Sequence, residues 1–139
     1  AEESLAMYRE LEDLFGIGWA LNLVGYNALF AGDPVLARPR LEESLTLFAG
    51  TGDVSAMVLH LADFAMLAIA EDRYEAAALL AGAWSSLREA RGVPDTALNE
   101  IPGLERAVGS LGEETFRSAF SRGESMTLEE AVAYARSSA

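Results

Sequence analysis

Apolar residues recur along this chain at spacings of three and four, and nowhere does an alternating, period-two pattern persist. Ile17, Leu21, Val24 and Ala28 form one such series and predict a helix over about 17–31. Gly32-Asp33-Pro34 then closes that helix and opens another. Gly suits a helix C-terminus, Asp33 can cap the new helix, and Pro34 fits its first turn. The second helix runs to about residue 49, where Gly50-Thr51-Gly52-Asp53 breaks it. Helices are predicted next over about 54–70 and 73–91, with Asp72 as the cap between them. The residues before Gly16-Ile17-Gly18 read as an earlier helix that those glycines end.

Beyond Gly92 the pattern changes. Val93-Pro94-Asp95 and Ile101-Pro102-Gly103 are turn signals, with short helices expected near 96–100 and 103–111. Gly112 and Gly123 bracket another helix, on which Phe116 and Phe120 lie one turn apart. Thr127-Leu128-Glu129-Glu130 is a capping box and opens a final helix.

The chain also repeats itself. Glu2-Glu3-Ser4-Leu5 returns forty residues later as Glu42-Glu43-Ser44-Leu45, and at the same offset Met7 meets Leu47, Tyr8 meets Phe48 and Asp13 meets Asp53. Phe30-Ala31-Gly32-Asp33 aligns with Ile69-Ala70-Glu71-Asp72 at thirty-nine. A period near forty built from helix pairs is the signature of a helical repeat. The expected fold class is all-α: an antiparallel helix-pair superhelix with a C-terminal helical cap. Residues 1–92 form the repeats, entered in mid-repeat, and 93–139 a closing segment of the same domain. Opening within a helix is expected of a piece cut from a longer protein.

These units resemble tetratricopeptide repeats, whose motif places Gly25, Ala28, Ala37 and Leu41 in one unit and Phe64, Leu67, Ala76 and Leu80 in the next. Phe64 departs from the family's small residue, and the spacing exceeds the usual thirty-four, as in the maltose-regulator-like superhelices. A second resemblance is to the C-terminal region of large bacterial signal-transduction ATPase regulators with LuxR-type or related DNA-binding ends. It rests on Arg40-Leu41-Glu42-Glu43-Ser44-Leu45, Ala77-Ala78-Leu79-Leu80-Ala81-Gly82-Ala83, Leu111-Gly112-Glu113-Glu114-Thr115-Phe116 and Met126-Thr127-Leu128-Glu129-Glu130-Ala131-Val132. This resemblance implies a cytoplasmic sensor or interaction module of a transcriptional regulator. In such proteins an ATPase module lies upstream and a helix-turn-helix can follow.

Charge narrows the partners. The net charge is −12, all ten basic residues are Arg, and both halves of the chain are acidic. Nucleic acids and anionic membranes draw affinity from Lys and Arg, so neither is an expected partner of this segment. Without Cys there is no disulfide and no thiolate zinc site. No apolar run approaches the roughly 20 residues of a membrane span.

Candidate chemistry is sparse. His60, the one His, has Asp63 three residues on, but a dyad needs a nucleophile and a metal needs more ligands. Glu113-Glu114 and Glu129-Glu130 fall in first turns, where the helix dipole favours acids, and neighbours in sequence do not share a face. No Gly-rich loop ends in a Lys that could hold a phosphate. No catalytic residue, metal or cofactor is therefore expected. Trp19, Asn22 and Tyr26 fall on one helix line, and Met57, His60 and Phe64 keep the same spacing on the equivalent helix. With Asn27 and Asp63 they suit a groove for a peptide, protein or small effector. The alternative is that Trp19, Tyr26 and Phe64 fill the core. Arg38, Arg40 and Arg73 could receive an acidic partner. The competing function is a passive spacer or homodimerisation segment.

Overall fold

In a computed structural model of the chain, residues 2–90 and 101–137 are described. The all-helical class is borne out: they form seven helices and, among the described residues, no strand. These are α1 (Glu2–Phe30), α2 (Pro34–Thr51), α3 (Val54–Ala70), α4 (Tyr74–Ala90), α5 (Leu104–Leu111), α6 (Glu113–Glu124) and α7 (Leu128–Ser137). The turn at Val93-Pro94-Asp95, the helix near 96–100 and the boundary after Gly92 lie outside the described residues. The chain packs as two units, Ala1–Ala56 and Met57–Ala139, and the division falls in the first turn of α3.

The first unit is the α1–α2 hairpin. Its register is set by two glycines seven residues apart on α1. A Cβ on Gly18 would stand 2.7 Å from Phe48 Cζ, and one on Gly25 would stand 2.7 Å from Leu41 Cγ. Moving seven residues up α1 moves seven down α2, so the helices run antiparallel. Ser44, fully buried, donates to the carbonyl of Gly18 at 2.7 Å. That bond satisfies a hydroxyl whose burial would otherwise be unfavourable. Leu41, Leu45 and Phe48 complete the buried stripe of α2.

In the second unit α4 is the hub, touching α5, α6 and α7. It is buried continuously from Ala76 to Trp84. The approach to α6 is close, with a glycine from each helix at the crossing. A Cβ on Gly82 would run into the carbonyl of Phe120, and one on Gly123 into the carbonyl of Leu79. Sequence alone places Gly123 after the helix; the structure places it inside α6, where it admits the backbone of α4. The capping box forms as expected: Glu130 N–H donates to Thr127 Oγ1, and Thr127 N–H donates to Glu130 Oε1.

Three helix ends share one design. At residues 28–33, 48–53 and 68–73 the last two N–H groups bond back across five and three residues, closing Schellman motifs. Gly32 and Gly52 hold the left-handed position, and Asp33 and Asp53 cap the next helix through Leu36 N–H and Ala56 N–H. At the third junction Asp72 takes the left-handed position, with φ of 59°, and Arg73 stands where the cap would be. The expected cap at Asp72 is thus displaced by one residue. The junction repeats at forty rather than thirty-nine, in register with Glu2–Leu5 and Glu42–Leu45.

The expected break at Gly16-Ile17-Gly18 does not occur; α1 is one helix of 29 residues. The physical reason lies in the order of residues. At Gly32 and Gly52 the left-handed residue is followed by a capping Asp, whereas Gly16 is followed by Ile17 and Gly18. Gly18 is needed instead for the contact with Phe48.

Candidate interaction surface

No charged residue lies between Asp13 and Asp33. One face of that stretch packs on α2, and the others carry exposed Phe15, Ile17, Leu23, Val24, Tyr26 and Phe30. A helix apolar on all sides is normally covered on all sides. Within its own unit, α1 is covered on one side by α2.

The exposed side is aromatic. Phe15 and Trp19 meet edge-on at 6.1 Å between ring centroids, and both rings meet Phe48 of α2, at 6.1 and 4.9 Å. Two turns beyond Trp19, Tyr26 and Phe30 lie 4.9 Å apart. Such pairs hold their rings in fixed orientations and add about 0.5–1.5 kcal/mol beyond area burial. The result is a pre-ordered stripe of four rings along α1. Trp19 and Asn22 are half-buried beside it; Tyr26 and Asn27 are exposed. Trp19 is thereby both a core residue, against Phe48, and part of the stripe.

The expected residues of α3 are placed differently. Met57, His60 and Asp63 are all buried, His60 at 0% and Asp63 at 6% exposure. At the offset of forty Ile17 corresponds to Met57 and Val24 to Phe64; Val24 is 45% exposed and Phe64 2%. One repeat position is thus open surface on α1 and interior on α3.

Each unit also carries a concavity. In the first unit a shallow groove of about 580 Å³ is lined by Ile17, Leu21, Pro39 and Leu47, with Glu42, Glu43 and Thr46. In the second a cleft of about 290 Å³ lies against Val108, Phe116 and Phe120, edged by Glu113 and Arg117. Phe116 and Phe120 are stacked at 5.9 Å, as their one-turn spacing implies. The arginines considered as acceptors of an acidic partner make ion pairs within the chain: Arg38 with Glu42, Arg40 with Glu43 and Arg73 with Glu71. Glu113 and Glu114 stand in the first turn of α6, and Glu129 and Glu130 in that of α7, as the dipole argument expects.

Among the described residues no three His, Asp or Glu side chains converge as a metal site, and no helix is long and apolar enough to cross a membrane. Phe15, Ile17, Leu23, Val24 and Phe30 were not expected as site residues from sequence; Ile17 and Val24 entered only as part of an apolar helix face, and both are exposed. The signal that could have found them is the absence of charge from Asp13 to Asp33. The chain matches no protein-family model, no curated protein and no solved structure.

Proposed function

We propose that the chain is a binding module of the tetratricopeptide-like helix-pair type, acting in a larger bacterial regulator, and that it receives a protein partner on α1. The observation that carries this reading is the exposed, uncharged aromatic stripe of α1. Contiguous apolar surface of this kind marks protein contacts in soluble chains. Aromatic anchors supply much of the energy of such contacts. A long open stripe suits a partner helix or extended segment better than an enclosed small molecule. The junctions repeating at twenty residues, and the sequence repeat at forty, support the superhelix. Binding would act on the parent protein by favouring one of its states, which requires different affinity for the two. The fragment itself would be non-catalytic and cytoplasmic, without nucleic-acid contacts.

The test is photo-crosslinking in the producing cell. A photoreactive aromatic residue replaces Tyr26 on the stripe, or Ala133, exposed on α7, as a control. A discrete adduct from position 26 and none from position 133 is expected. No adduct from position 26 refutes the surface. An adduct of twice the chain's mass assigns it to a second copy.

A further inference from the structure

The Schellman junctions fall at 28–33, 48–53 and 68–73, a spacing of twenty residues. One step earlier the same period lands on residues 8–13, with Glu12 at the left-handed position and Asp13 at the capping one. There α1 runs straight through.

Several features of this stretch belong to a junction rather than a helix interior. Asp13 occupies the place of Asp33 and Asp53, whose carboxylates accept from the N–H three residues on. The N–H that Asp13 would receive belongs to Gly16, which has open space around it. Gly16 and Gly18 both weaken the helix just beyond. Glycine is not obligatory at the left-handed position, since Asp72 holds it with φ of 59°. Glu2-Glu3-Ser4-Leu5 repeats a segment of α2 in which Ser44 and Leu45 are fully buried. In the straight helix, by contrast, Met7 and Leu11 are 66% and 52% exposed.

We propose that residues 2–11 are an arm that folds back at Glu12–Asp13 and lies antiparallel along the following part of α1, covering apolar surface around Phe15 and Ile17. The straight helix is the open form. The fold-back buries Met7 and Leu11 and trades the helical bonds across the junction for a Schellman motif and an Asp13 cap. Resting on the reading of α1 as the partner surface, the arm is an internal occupant that the partner must displace.

The chain has no Cys, so a pair of spin labels can be placed uniquely. Ala6→Cys and Ala31→Cys are both exposed positions. In a straight helix they stand about 37 Å apart at 1.5 Å per residue. Folded at Glu12–Asp13, with axes about 10 Å apart, they approach to about 20 Å. Electron–electron distance measurement on the full chain should show both populations. The shorter one should fall with Asp13→Ala and grow with Glu12→Gly. A single population near 37 Å in the labelled chain and in its Glu12→Gly variant overturns the proposal. So does a short population that Asp13→Ala leaves unchanged. These readings need no partner, so they fail or stand apart from the crosslinking result.

Discussion

Gly123→Ala probes the α4–α6 contact most directly. The added methyl would meet the carbonyl of Leu79, a backbone group that cannot rotate away, so α6 must retreat from α4. Overpacking of this kind costs about 1–3 kcal/mol, and the rigid backbone places this site at or above the top of that range. Alanine returns up to about 1 kcal/mol of helix propensity over glycine, leaving a net loss of about 2 kcal/mol. For a unit of this size that lowers the melting temperature by about 8–16 °C. Gly109→Ala is the matched control: it lies in α5 with open space around it, and it should gain up to about 1 kcal/mol. Trp84 sits buried on α4 and reports unfolding of this unit by fluorescence in a Trp19→Phe background. Gly82→Ala strikes the same crossing from the other side, and the two losses should combine non-additively. A Gly123→Ala protein that melts at or above the parent temperature would refute the backbone-contact reading.

Three further outcomes follow from the same physics. Gly18→Ala, whose Cβ would press on the Phe48 ring, should destabilise the α1–α2 hairpin by about 1–2 kcal/mol, while Gly16→Ala, facing open space, should stabilise it; urea denaturation monitored through Trp19 distinguishes the two signs. Asp53→Ala removes the acceptor for Ala56 N–H and should cost about 1 kcal/mol, whereas Asp53→Ser should retain most of the stability, as seen in thermal melts followed by circular dichroism. The Arg122–Glu75 pair joins α6 to α4 at 2.7 Å, but both side chains are more than half exposed; Arg122→Gln should change stability by under about 1 kcal/mol, and a larger loss would mean the pair is anchored more firmly than its exposure implies.

Much of the fold was legible because its punctuation is local. Gly32-Asp33-Pro34 and Gly52-Asp53 combine a left-handed residue with a carboxylate cap, and Thr127 with Glu130 makes a reciprocal box. Each of these needs only neighbours in the chain. The misplacements came where a local sign had a distant use. Gly123 looks like a terminator, yet it is spent on the backbone of α4. Gly18 looks like a break, yet it receives Phe48 from α2. Asp72 looks like a cap because aspartate favours both cap and left-handed positions, and only the hydrogen bonds to Ile69 and Ala68 decide between them.

The candidate surface divides along the same line. By itself the sequence determined the all-helical class, the approximate span of α2, α3 and α4, the acidic charge and the uncharged stretch between Asp13 and Asp33, since these depend on composition and spacing. It could not distinguish Trp19, Asn22 and Tyr26 from Met57, His60 and Asp63, because both sets follow helical spacing and mix polar with apolar chemistry. Tertiary structure separated them: His60 and Asp63 are buried, while Tyr26 and Phe30 remain exposed. Helical periodicity specifies which residues share a face. What lies against that face is set by segments far away in sequence, and only packing reveals it.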